Sequence, residues 1–214
     1  MKFQMPIECH KCGRQDPIDM HLDDGSCEWV CECGEANFVV LGTGVTLGYR
    51  LLYRSEFEYR QRKDYSMATV MAATAVDCEL SRLFLKWQQI AALRANTDPD
   101  DAAIDQMLRR FKTVAEKIEK VCRVLDPRGI DGFVRSSNDL SETVQKRFPS
   151  MQIGRLAKDL QEKLFWPRNK ILHAGYAKYS DADAARCYSF AQLALHILLK
   201  MDEAKRQEGE KRLT

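Results

Sequence analysis

Arg168, Asn169 and His173 stand within six positions of one another, in a chain with only four histidines. The guanidinium is a permanent cation. The imidazole is the one side chain whose ordinary pKa lies near neutrality, so it gives or takes a proton. Cleaving a phosphodiester without a metal needs such a proton-transfer group, and a positive charge for phosphoryl oxygens that become more negative. Asn169 and His173 are four apart, and Tyr176 follows seven after Asn169, so on a continuous helix the three share a face. Gly175 is placed to end that helix. The bland alternative is a helix-start arginine and a packed histidine.

A second set of residues has metal-ligand spacing. Cys9-His10-Lys11-Cys12-Gly13 and Cys31-Glu32-Cys33-Gly34 are two close-set cysteine pairs, each followed by glycine, separated by 18 residues. Cys9, Cys12, Cys31 and Cys33 can supply four thiolates to one structural zinc ion. The second pair is Cys-x-Cys rather than the commoner Cys-x2-Cys, which leaves Cys27 or His10 as alternative ligands. Glu28–Val30 and Asn37–Leu41 read as short strands around a turn at Asp23–Ser26. A small β zinc ribbon over residues 1–41 follows, since a 40-residue segment with few large apolar residues needs a metal to fold. Three cations against eight carboxylates give residues 1–40 a net charge of −5, and four thiolates around one ion add about −2. That surface repels phosphates, so the ribbon reads as structural or as a docking surface.

The run Arg168-Asn169-x3-His173 resembles the signature of HEPN domains (higher eukaryotes and prokaryotes nucleotide-binding), in which an arginine is followed by a polar residue and then a histidine. A helical run around Ala68–Leu85 resembles that family's early helix, and the Ala-rich segment Asp181–Lys205 its closing one. The resemblance implies a mainly α up-and-down bundle of four or five helices. It implies a homodimer in which two Arg/His motifs face one composite cleft. It further implies a metal-independent endoribonuclease, of the kind found among toxins and anti-phage effectors, with an antitoxin or defence-system protein as partner. In those terms His173 is the general acid or base and Arg168 grips the scissile phosphate. Asn169 orients a phosphate oxygen or the imidazole, and Tyr176 offers a stacking or hydroxyl contact. A catalytically inert module that binds nucleotide or RNA, and a ribbon-based protein-interaction adaptor, are the other two classes.

The elements that must position these residues can be read from the pattern of apolar side chains. Residues 42–63 are a Gly-rich hinge and a charged lead-in helix, residues 64–206 the bundle and residues 207–214 a polar tail. In Asp64–Leu93 an apolar stripe runs Ala72, Val76, Leu83, Trp87, Ile90, and Met67, Met71, Ala75, Cys78 and Leu85 make the opposite side apolar too. Such a helix is central to its bundle or buried at a dimer contact. Glu79 lies inside the stripe, where a carboxylate must be paired. It is the candidate to fix Arg168 or His173, with Asp77 its competitor and a structural ion pair the equal alternative. One helix is expected from Asp98-Pro99 to Leu125, a mostly irregular stretch over 127–150 with a short helix near Ser141–Phe148, and further helices over Ile153–Phe165 and from Asp181. His196 reads as a core or helix-flank residue. Hydrophobic residues at 45% and charged ones at 30% suit a globular chain. No apolar run reaches the length of a membrane span and no signal-peptide core opens the chain, so a cytoplasmic location and no membrane partner are expected. Residues 145–178 carry eight cations against Asp159 and Glu162, a net +6 that favours a polyanionic substrate such as RNA.

Overall fold

Two short hairpins and a set of helices make up the protein. A computed structural model describes residues 2–9, 11–21, 26–40, 46–174 and 179–211. Within it the chain divides into two units, Met1–Thr46 and Leu47–Thr214. In the smaller unit β1 (Lys2–Glu8) pairs antiparallel with β2 (Gln15–His21), setting Lys2 opposite His21 and Glu8 opposite Gln15. β3 (Ser26–Val30) pairs with β4 (Ala36–Val40) in the same way, Val30 opposite Ala36. The second hairpin contains the strands expected from the sequence, whereas the first was not foreseen. Each sheet has only two strands. A lone two-stranded hairpin is marginal in water, so the unit needs something else to hold it.

The larger unit is mainly helical: α1 (Leu47–Phe57), α2 (Tyr65–Arg94), α3 (Asp101–Arg109), α4 (Val114–Leu125), α5 (Gly129–Arg135), α6 (Asn138–Arg147), α7 (Leu156–Leu160), α8 (Trp166–Ala174) and α9 (Asp181–Lys211). α2 is its axis and packs against α1, α4, α8 and α9. Ala68, Ala72, Ala73, Ala75, Val76, Leu80, Leu83, Phe84 and Trp87 are all buried along it. This matches the reading of a helix apolar on two sides. The boundary between the units falls at Thr46, so the lead-in helix α1 belongs to the helical unit and lies along α2. α1 leaves through a π turn at Glu58–Arg62. Lys63 then adopts a left-handed conformation (φ 57°), and Asp64 caps α2 by accepting from the Met67 N–H at 2.9 Å.

Three stretches depart from the sequence expectation. The helix foreseen over 98–125 is two helices, broken at residues 110–113. Thr113 Oγ1 accepts from the Glu116 N–H at 3.0 Å and Glu116 Oε2 accepts from the Lys112 N–H at 2.9 Å, which restarts the chain as α4. Asp100, not Asp98, caps α3, through the Ala103 N–H at 2.9 Å. The stretch 127–150 is mostly ordered into α5 and α6, because Ile130, Phe133, Val134, Leu140 and Val144 are buried in the common core. α9 continues to Lys211, past the expected end near 205.

The close approach of α1 to α2 depends on one glycine. A Cβ on Gly48 would stand 2.7 Å from the Ala75 carbonyl oxygen and 3.1 Å from the Glu79 Cβ. One helix turn and more away, buried Ser55 donates its hydroxyl to the Ala68 carbonyl at 2.7 Å. Ordinarily Gly→Ala within a helix stabilises by up to about 1 kcal/mol. Here the sign reverses, because the new methyl meets backbone. Gly48→Ala should cost about 1–3 kcal/mol, the scale of an overpacked core, read as a lower urea midpoint with an unchanged slope.

Candidate functional site

The four expected cysteines come together. Cys9 and Cys12 lie in the loop between β1 and β2, and Cys31 and Cys33 in the loop between β3 and β4. Their sulfurs all lie within 4.8 Å of one another, with Cys9 to Cys33 at 3.7 Å and Cys12 to Cys31 at 3.6 Å. A tetrahedral ion with metal–sulfur bonds of about 2.3 Å sets its sulfurs about 3.8 Å apart. The donor set therefore fits a metal ion. The two loops reach this geometry differently. In the first, the Gly13 N–H donates to the Cys9 carbonyl at 2.8 Å; in the second, one residue shorter, the Gly34 N–H donates to the Cys31 carbonyl at 2.8 Å. Gly13 and Gly34 both adopt positive φ, 72° and 82°. That conformation lets each chain fold back under its sulfurs, so the Cys-x-Cys spacing is absorbed by a tighter turn. His10 and the side chain of Cys27 lie outside the described residues.

Charge couples the two loops. Arg14 grips the Glu32 carboxylate with both guanidinium nitrogens, and Lys11 pairs with Glu35 at 3.0 Å. The Cys33 backbone amide favours the Cys31 thiolate, yet desolvation and the neighbouring thiols outweigh it and push Cys31 up to about 12.

The Arg/His motif sits on α8, and a proline inside the helix sets its orientation. Pro167 has no N–H to give the Lys163 carbonyl four residues earlier, and its ring crowds that carbonyl. The chain responds with a π turn over Gln161–Phe165, where the Trp166 N–H bonds the Gln161 carbonyl five residues back. The freed Lys163 carbonyl accepts instead from the Cys187 thiol of α9 at 3.5 Å. The Pro167 carbonyl accepts from the Tyr179 hydroxyl at 3.1 Å. One extra residue in the turn rotates everything after it by about 100°. Leu164 and Phe165 are buried, whereas Trp166 emerges half exposed.

Asn169 and His173 share one face, as expected. With Trp166 and Lys170 they line a shallow, open depression of about 470 Å³. Neither Asn169 nor His173 has a hydrogen-bond partner among the described residues, and no carboxylate lines the depression. Trp166 and Lys170 were not foreseen as site residues, although the spacing 166, 169, 170, 173 is a helical stripe legible in the sequence.

Arg168 does not line that depression. Five residues from His173, it stands about 140° round the helix and turns toward α2. Its Nε is buried without a hydrogen-bond partner. Burial and Asp77 push the Cys78 thiol of α2 up, while Lys117 and Arg168 pull it down. Glu79 is buried, as its place in the stripe requires, but it is not the group that fixes Arg168 or His173. It accepts from Arg82, one turn along its own helix, with Nε at 3.1 and 3.0 Å from the two oxygens and Nη2 at 2.5 Å. Asp77 pairs with Lys117. Both carboxylates thus serve the packing around α2. Tyr176 and Gly175 lie outside the described residues. His196 is exposed on α9. Of the basic residues near the motif, Arg155 pairs with Asp159 and Glu162, and Lys158 with Glu162. Lys146, Arg147, Arg168 and Lys170 have no ion pair among the described residues.

Among the described residues no helix is long and apolar enough to cross a membrane. Compared with protein-family models, curated proteins and solved structures, the chain matches none.

The cysteine cluster makes a direct prediction. Titration with cobalt(II) should saturate near about one ion per chain with the absorption of tetrahedral thiolate, and should release protons because raised thiols must ionise. Cys12→Ser should abolish tight binding while far-ultraviolet helical signal stays largely intact, since the helices have their own core. A chain that binds no divalent ion would overturn the assignment.

Proposed function

We propose that the helical unit is a metal-independent endoribonuclease of HEPN type whose reacting surface is the α8 face, with the hairpin unit a zinc-ribbon-like module holding a structural zinc ion. The observation that carries the first part is the α8 depression. It presents side by side an imidazole, an amide and an ammonium that have no partner among the described residues, with no carboxylate in its lining. These are the groups a phosphodiester needs and a cation does not. Support for zinc is the sulfur spacing, and the ion's part is to join two hairpins rather than to react.

RNA carries its own nucleophile. In the proposed reaction the ribose 2′-oxygen forms a bond to phosphorus as its proton passes to an imidazole, and the phosphorus–5′-oxygen bond breaks as that oxygen takes up a proton. The products are a 2′,3′-cyclic phosphate and a 5′-hydroxyl. His173 handles the protons, Lys170 and Arg168 balance the charge on the phosphoryl oxygens, and Asn169 orients one of them. Because Arg168 lies round the helix from His173, one chain alone presents an incomplete set. The reading therefore includes a homodimer whose two α8 helices share a cleft, so that the second copy's imidazole serves as the complementary acid or base. A toxin or anti-phage role, held in check by an antitoxin or defence-system protein, follows from such an activity. The turning of Arg168 toward α2 favours a second reading, an inert face that binds RNA or nucleotide without cutting it.

His173→Ala should lower RNA cleavage at least about 100-fold, the usual scale for a general acid–base, with no matching loss of stability. Arg168→Lys should also lose most activity, since lysine keeps the charge without the planar fork. Cleavage should persist in chelator for as long as the hairpin unit keeps its ion. Activity undiminished by His173→Ala would end the assignment to this face. Tight binding of RNA that stays uncut would select the inert reading.

A further inference from the structure

The π turn that Pro167 imposes brings a large aromatic residue out of the core at the edge of the α8 depression. Trp166 is 50% exposed, directly after the fully buried Leu164 and Phe165. Among the described residues no ring or cation stacks on its indole, and its ring N–H has no acceptor. It lines the depression together with Asn169, Lys170 and His173. An indole face, an ammonium one turn on and a proton-transfer group two turns on form a row of about 10 Å along the helix axis.

We propose that Trp166 is a base-stacking platform that restricts the α8 site to single-stranded nucleic acid: an unpaired base lies on the indole while the adjoining phosphate meets Lys170. This rests on the RNA reading of the same surface and adds what selects the substrate. An aromatic face holds any base through its π surface, whereas in an A-form duplex the base faces are covered by their neighbours and the major groove is too deep and narrow for side chains to read. A duplex therefore meets only the cations. A single strand meets the cations and the ring.

The test uses the full chain and a labelled single-stranded oligoribonucleotide with 2′-O-methyl groups, which binds but cannot be cut, beside the duplex of the same sequence. Wild type should prefer the single strand. Trp166→Ala should weaken single-strand binding by at least about fivefold, the low end for loss of one stacked base, and leave duplex binding unchanged. Trp166→Phe should retain most of the single-strand affinity. Lys170→Gln should weaken both substrates and flatten the salt dependence. Because Trp166 is half exposed, its loss should not unfold the chain, which circular dichroism checks. Unchanged single-strand affinity in Trp166→Ala overturns the platform. So does a variant whose only defect is a lower solution mass, which would assign the indole to a contact with a second copy. If wild type cuts unmodified RNA while Trp166→Ala binds normally, the platform fails and the ribonuclease reading stands. If wild type neither binds nor cuts RNA, both fail.

Discussion

The helical unit depends on the burial of α2 on nearly every side. Thirty residues long, it packs against α1, α4, α8 and α9. A helix apolar on two sides has little face to give to water, so its neighbours must close over it. Closeness on the α1 side rests on Gly48 against the Ala75 carbonyl and Ser55 on the Ala68 carbonyl. Side-chain volume is absent there, and backbone-to-backbone approach takes its place. Further along it Leu80, Leu83, Phe84 and Trp87 are buried, Phe84 edge-on to Phe111 and the Trp87 ring N–H donating to Asp202 of α9 at 2.6 Å. The buried Glu79 tolerates this environment because Arg82 covers it from one turn away, with the guanidinium reaching toward solvent.

From that frame a second constraint reaches the candidate site. A proline within a helix leaves one carbonyl unbonded, and a buried unbonded carbonyl costs about 1–3 kcal/mol. The chain avoids much of that cost by widening one turn and by offering the Cys187 thiol of α9 to the Lys163 carbonyl. Burial raises the Cys187 thiol to about 11, so it stays protonated and able to donate near neutral pH. The same adjustment turns Trp166, Asn169, Lys170 and His173 outward while Arg168 is left against α2. Local backbone repair thus decides which of the motif's residues face water together.

Much of this was legible in the sequence, and the failures have identifiable causes. The cysteine pairs were readable because metal ligation demands fixed spacing, and the glycines after them because only φ > 0 lets the loops fold back. The burial of α2 was readable from its two apolar sides. The first hairpin was not, since Pro6 and Pro17, paired with each other across it, argue against strands. The break at residues 110–113 was hidden under an apolar stripe that runs through it, although Thr113-x-x-Glu116 is a capping pattern in plain view. Glu79 lies in the core as its place in the stripe requires, and of the two roles open to it the structural ion pair is the one formed, because a partner at i+3 on the same helix competes ahead of one on another element. For α8, the residue that accommodates Pro167 lies twenty positions later, on a different helix. Only the fold brings it there.

The two units divide their physical tasks by charge. Residues 1–40 carry net −5, and their remaining cations Lys11 and Arg14 are engaged by Glu35 and Glu32 across the cysteine loops. Those pairs are exposed and contribute little to stability on their own. Their consequence is local: among the described residues the two cations beside the cysteines, Lys11 and Arg14, are both engaged by carboxylates. In the helical unit the opposite holds. Asp159 and Glu162 occupy Arg155 and Lys158, which removes part of the positive window near the motif, yet among the described residues Lys170, beside His173, has no ion pair. The cations of that window left without an ion pair among the described residues, Lys146, Arg147, Arg168 and Lys170, all belong to the helical unit. A metal bound by four thiolates would deepen that contrast, adding about −2 to a segment that already carries net −5.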